Sequence, residues 1–168
     1  MALRLLGIDP GLNTTGYGVL EIGPRGPRVC EAGVIRSTAR KSLAQRVQEI
    51  YIGVSEVIES LRPDAMALEE LYSHYERPKT AILMGHARGA ICLAAANAEI
   101  PLRHYPATQI KKVLTGNGRA PKSQIQLAIQ HELKLAELPE PPDVADALAI
   151  ALCDYYLYRQ QEVMNNAT

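Results

Sequence analysis

The sequence predicts one layered α/β domain: a mixed five-stranded sheet with helices on both faces. Three observations predict it. Three short apolar runs near the N-terminus are joined by short turn-like links. The apolar spacing then changes from strand period to helical period. Two further apolar runs follow, each after a helical stretch.

Residues 3–8 form a short apolar run that reads as a buried strand. "GYGVLEIG" (16–23) and "RVCEAGVIRS" (28–37) read as two more, joined by "PRGP", so they are expected as antiparallel neighbours. The link 9–15 is also short and predicts a hairpin between the first two strands. "KSLAQRVQEIYIGVSEVIESLR" (41–62) then sets Leu43, Val47, Ile50, Val54, Val57 and Leu61 on one helical stripe, and Pro63 stops it. "AMALEELY" (65–72) reads as a fourth strand ending in acids. An Ala- and Gly-rich helix is expected over 78–98, a fifth strand over 100–105, and helices near 106–114 and 121–135 around the turn "TGNGRA". "PPDVADALAIALCDYYLY" (141–158) reads as the last helix, with 159–168 expected as a disordered tail of a single domain spanning 1–168.

A chain of 168 residues suits one sizeable core. Eighteen basic and eighteen acidic residues cancel, so no global basic signature of nucleic-acid binding is present. A basic groove beside an acidic site also sums to zero, so the cancellation excludes little. Cys30, Cys92 and Cys153 are far apart and lack zinc spacing, which suits reduced thiols in a cytoplasmic protein. The N-terminus lacks a secretory apolar region, and "AILMGHARGAICLAAANA" is interrupted by His86 and Arg88, so no membrane span is expected.

The acids carry the chemistry. Asp9 ends the first strand, in "LLGIDPG", and Glu69 ends the fourth beside Glu70. Asp143 and Asp146 are three apart at the start of the last helix and so share a face. If strands one and four are parallel neighbours, their ends meet, and the last helix need only dock its first turn there. Four carboxylates would then surround one cavity. Such a cluster repels itself unless protons or cations neutralise it, and oxygen-only ligands suit magnesium or manganese. Two such ions about 4 Å apart activate water and stabilise the leaving oxygen in phosphodiester hydrolysis. Taken singly, each acid also has a structural reading. Asp9 would be a turn residue, Asp143 an N-cap, Asp146 a helix-dipole partner, and Glu69 with Glu70 a solvated strand end.

Five blocks, "LLGIDPGLNTTGYGV", "ALEELY", "GHARGA", "TQIKKVLTGNGRAPKSQIQ" and "DVADALAIAL", together resemble the RuvC family of Holliday-junction resolvases, in the same order from residue 3 to about 155. The resemblance implies a ribonuclease-H-like fold, a homodimer and an endonuclease of DNA recombination and repair. It implies divalent-metal-dependent resolution of four-way DNA junctions by paired symmetric nicks. A metal-activated water would attack the phosphodiester and leave a 5′-phosphate and a 3′-hydroxyl. The family's acidic quartet falls on Asp9, Glu69, Asp143 and Asp146, as catalytic residues and as ligands of Mg2+ or Mn2+, two ions per site. The family's strand ends in Glu followed by Glu or Gln, which selects Glu69 over Glu70. Some members carry His where Asp143 stands, and the aromatic after the second acid is often Phe where this chain has Tyr72. A junction-binding protein and a branch-migration motor are the implied partners.

Residues 101–134 carry Arg103, Lys111, Lys112, Arg119, Lys122 and Lys134 against one acid, Glu132. Lys122 follows Pro121 at a helix start, where free backbone N–H groups favour phosphate. Lys111 and Lys122 also fall on lysines of the family pattern and are assigned to the DNA backbone, while Lys112 and Arg119 are left open between DNA contact and a solvated face. Tyr72 is assigned to stacking on junction bases, and Tyr75 to packing. Gly85 and Gly89 keep their helix slim for packing on the sheet, or, by the resemblance, for a dimer interface. His86, His104 and His131 are read as surface or packing residues. Three rival readings fit the residues less well. An actin- or sugar-kinase-like ATPase lacks the length and a second Asp-Gly hairpin. A junction-binding module without chemistry leaves the acids unexplained. A structured-RNA nuclease is disfavoured by the order of the blocks.

Overall fold

A computed structural model describes residues 2–71 and 77–166. The elements follow as β1 (Leu3–Asp9), β2 (Thr14–Gly23), β3 (Gly26–Arg36), α1 (Leu43–Leu61), β4 (Ala65–Glu69), α2 (Pro78–Asn97), β5 (Leu102–Tyr105), α3 (Ala107–Thr115), α4 (Lys122–Glu132) and α5 (Pro142–Asn166). The sheet order is β3-β2-β1-β4-β5. β1, β2 and β3 form an antiparallel meander, and β4 and β5 extend it in parallel from β1. The expected mixed sheet, with its ribonuclease-H-like arrangement, is therefore present.

Strand alternation sorts the core into two layers. Leu6, Ile8, Val19, Met66 and Leu68 face α1 and α2 and join one apolar cluster. Leu20 and Ala67 face α5, with α3 and α4 packed beside it. α1 begins where Ser42 and Gln45 cap each other's backbone N–H groups, and it ends at Arg62 in a left-handed turn before Pro63.

α5 lies across β1 and β2, and almost every residue from Val144 to Tyr155 is buried. Two glycines allow this approach. A Cβ on Gly7 would sit 2.2 Å from the Ala147 carbonyl oxygen, and one on Gly16 would sit 2.1 Å from that of Asp143. The backbones meet because these positions carry no side chain. The helix also runs further than the sequence pattern predicts. Residues 159–166, expected as a disordered tail, continue α5 to Asn166. No glycine or proline interrupts this stretch, and Tyr158–Glu162 and Arg159–Tyr155 join one turn to the next.

α2 packs on the sheet through Ala87, Ala90, Ala94 and Ala95. Gly85 and Gly89 lie elsewhere on the helix: a Cβ at either meets nothing within 4 Å. The small residues that pack on the sheet are the alanines. Among the described residues, no helix is long and apolar enough to cross a membrane.

Candidate active site

β1 and β4 are parallel neighbours, with Ile8 opposite Leu68, so Asp9 and Glu69 leave the sheet at the same edge. The first turns of α5 dock on this edge over Gly16, the β2 partner of Asp9. A hollow of about 230 Å³ results, lined by Asp9, Glu69, Asp146, Lys111 and Lys122 over an apolar floor that includes Ile110 and Ile150. β1, β4, α3, α4 and α5 each contribute to its wall.

The carboxylates feel one another. Burial, then Asp146, Asp143 and Glu69, push the Asp9 pKa up to about 7, and Lys122 opposes the rise. Burial, then Asp146, raise Glu69 as well, against Lys111 and Arg88. Lys122 Nζ donates to Asp146 Oδ2 at 3.1 Å. Asp143 does not line the hollow. It lies in the first turn of α5, beside Gly16 and near enough to raise Asp9. Among the described residues, no three acidic, histidine or cysteine side chains are arranged to hold a metal ion as they stand. The donor set nevertheless fits a hard divalent cation. It offers carboxylate oxygen alone, crowded enough to disfavour its own ionisation.

The other candidates separate. Tyr72, with Ser73, His74, Tyr75 and Glu76, lies outside the described residues. Lys112 and Arg119 are exposed and do not line the hollow. Arg103 does not join a free basic face. It is bonded to the fully buried Asp154, Nε and Nη2 each donating at 2.6 Å to one carboxylate oxygen. Tyr105 Oη donates to the same carboxylate at 2.6 Å. Its backbone pairs with Glu69 in the sheet register. This triad therefore ties the helix carrying Asp146 to the strand beside Glu69, a role that the basic spacing of 101–134 does not signal. Arg88 on α2 donates to the Glu69 carbonyl and lies 3.1 Å from His104 Nδ1. Sequence reasoning missed both contacts because the partners are far apart in the chain. His86 and His131 are exposed, away from the hollow.

The turn after Asp9 is also stitched. Thr15 Oγ1, fully buried, donates to the Gly11 carbonyl at 2.8 Å, and Gly11 N donates back to it at 3.3 Å. Asp9 thus stands on a fixed strand end followed by a closed turn.

Comparison with known proteins agrees with this geometry. The family model of the crossover junction endodeoxyribonuclease RuvC matches residues 5–154. The RuvC of Rhodopirellula baltica is 63% identical over 155 residues, covering 91% of this chain and 86% of that protein. That of Moorella thermoacetica is 43% identical over 162 residues, covering 95% and 96%. Among solved structures, Thermus thermophilus RuvC in complex with a Holliday junction substrate superposes with a TM-score of 0.89 at 34% identity, covering 95% of this chain and 96% of that one. With a family match over most of its length and relatives this similar, the chain belongs to the RuvC family of crossover junction endodeoxyribonucleases.

Proposed function

We infer that this chain is an endodeoxyribonuclease that resolves Holliday junctions, cutting at the carboxylate hollow between the ends of β1 and β4. One observation carries the reading. Asp9, Glu69 and Asp146, from three remote segments, share a hollow with Lys111 and Lys122. Acids alone would be a cation site; acids flanked by lysines suit a phosphodiester neutralised from both sides.

Asp9, Glu69 and Asp146 would hold divalent metal, Mg2+ or Mn2+ and two ions per site, with Asp143 as the fourth carboxylate. When bound, such ions activate water and stabilise the leaving oxygen, which yields a 5′-phosphate and a 3′-hydroxyl. The residues supply the frame for this. Burial and crowding make the charge on Asp9 costly, so the hollow favours cations. Lys122, 3.1 Å from Asp146, exchanges that carboxylate for a phosphate oxygen when DNA enters, and Lys111 faces the same space. Tyr72 is assigned to bases at the crossover.

Paired symmetric nicks need two sites related by a two-fold axis, hence a homodimer. α2 supports this, because Ile82 and Leu93 are 61% and 53% exposed on the helix that carries the open Gly85 and Gly89. The remaining assignments are a single domain over 1–168, action in the cytoplasm, and work beside a junction-binding protein and a branch-migration motor.

The test is a synthetic mobile four-way junction with labelled arms. Wild type in magnesium or manganese is expected to make paired symmetric nicks. Asp9→Asn, and wild type in EDTA, are expected to bind without cutting. Undiminished cutting by Asp9→Asn would remove the site. Binding without cutting by wild type in either metal would make the chain a binding module.

A further inference from the structure

The hollow concentrates negative charge, so a DNA backbone reaching it needs positive flanks. Lys111 and Lys122 supply one flank, on α3 and α4. A second basic run lies on the other side. Residues 32–48 carry Arg36, Arg40, Lys41 and Arg46 and no acid.

The sheet brings this run to the catalytic edge. Asp9 pairs with Gly16, and Gly16 with Val34, so Arg36 is two residues beyond the position in line with Asp9. Two strand spacings of about 4.8 Å and two rises of about 3.4 Å put the Arg36 and Asp9 backbones roughly 12 Å apart. At about 3.4 Å of duplex per nucleotide, that is some three to four nucleotides.

The loop after Arg36 is fixed to the turn after Asp9. Ser37 N donates to the Asn13 carbonyl at 3.1 Å, and Ser37 Oγ donates to that of Leu12. Arg46 Nε donates to Ser37 Oγ at 3.0 Å, and its Nη2 donates to Asn13 Oδ1. Glu49 holds Thr38 N at 2.7 Å and Lys41 Nζ at 2.5 Å. Lys41 and Arg46 are thereby used in building the loop. Arg36 and Arg40 are exposed, and among the described residues their side chains have no partner. Both guanidinium groups are left free among the described residues, Arg36 at the end of β3 on the same sheet edge as Asp9 and Arg40 in the loop that follows.

We propose that Arg36 and Arg40 form a second phosphate-binding flank, gripping the DNA backbone on the β3 side of the hollow, opposite Lys111 and Lys122. This rests on the reading of the hollow as the site that cuts DNA. Guanidinium groups suit the task, because their paired N–H donors match phosphate oxygens. A backbone held on both flanks is stretched across the carboxylates rather than repelled by them.

The test is the salt dependence of junction binding in EDTA, for wild type, Arg36→Gln/Arg40→Gln and Arg25→Gln. Arg25 is an exposed arginine in the β2–β3 turn, at the opposite end of the sheet, and controls for the loss of one positive charge remote from the hollow. Losing two phosphate contacts makes the slope of log affinity against log salt shallower by about 1.8. The wild-type advantage over the double variant then shrinks about twelvefold between 50 and 200 mM salt. Arg25→Gln is expected to leave the slope unchanged. An unchanged slope in the double variant, or a change in Arg25→Gln of half that in the double variant, overturns the proposal while leaving the catalytic reading intact. A wild type that binds no junction removes both.

Discussion

Asp9→Asn is expected to stabilise the protein at the same time as it abolishes cutting, and the stabilisation depends on pH. In the unfolded chain Asp9 gives up its proton near its ordinary pKa of 3.8; in the folded chain it keeps it until about 7. Between these values folding takes up a proton. The contribution of Asp9 to stability is therefore whole below about pH 4, declines as pH rises toward 7, and is flat beyond. The rise from 3.8 to about 7, at about 1.4 kcal/mol per pH unit, gives an upper bound of about 4 kcal/mol. Asp9 is only partly shielded from water, and screening reduces this to about 2 kcal/mol. Asparagine never ionises and escapes the cost. In EDTA at pH 8 the variant is expected to melt about 4–8 °C above wild type. Near pH 4 the two should melt together. Thermal unfolding followed by circular dichroism at pH 4, 6 and 8 reads this directly. Magnesium at pH 8 should raise wild type more than the variant, since the variant keeps Glu69 and Asp146 but lacks the buried Asp9 charge that a cation would neutralise. A melting difference independent of pH would refute the argument, because it would place Asp9 in ordinary solvent.

Two other perturbations follow from the packing. Gly16→Ala puts a Cβ about 2 Å from the Asp143 carbonyl and must push the start of α5 off the sheet; it is expected to cost about 2–3 kcal/mol by denaturant titration and to reduce cleavage more than junction binding. Asp154→Asn removes the charge that Arg103 and Tyr105 share, and a loss of about 2–4 kcal/mol is expected, with Tyr105→Phe losing about 1; a melting temperature within 1–2 °C of wild type for Asp154→Asn would show that the triad adds nothing, given about 2–4 °C per kcal/mol at this size.

The elements were legible because local chemistry marks them. Apolar runs of strand length, the amphipathic stripe from Leu43 to Leu61, and Pro63 after it place β1 to β4 and α1 close to where they stand. Asp9, Glu69 and Asp146 were legible as strand- and helix-end acids whose elements the order of crossovers brings to one edge. Arg103 was misread. It lies in a basic stretch, and nothing local shows that a buried carboxylate fifty-one residues later would bind it. The last turns of α5 were misread for a related reason. Their apolar pattern fades, but helix continuation needs only good formers and no breaker.

The sequence by itself determined the period of each segment, the acids at the ends of β1, β4 and the start of α5, and the family to which their order belongs. Tertiary structure alone decided which charges remain free. Arg103 and Arg46 are bonded within the fold, Arg36 and Arg40 have no partner among the described residues, and Asp146 meets Lys122 while Asp143 stays outside the hollow. The physical reason is range. Propensity and apolar period act over a few residues, whereas the free energy of a charge is set by whatever burial and partners the completed fold brings to it.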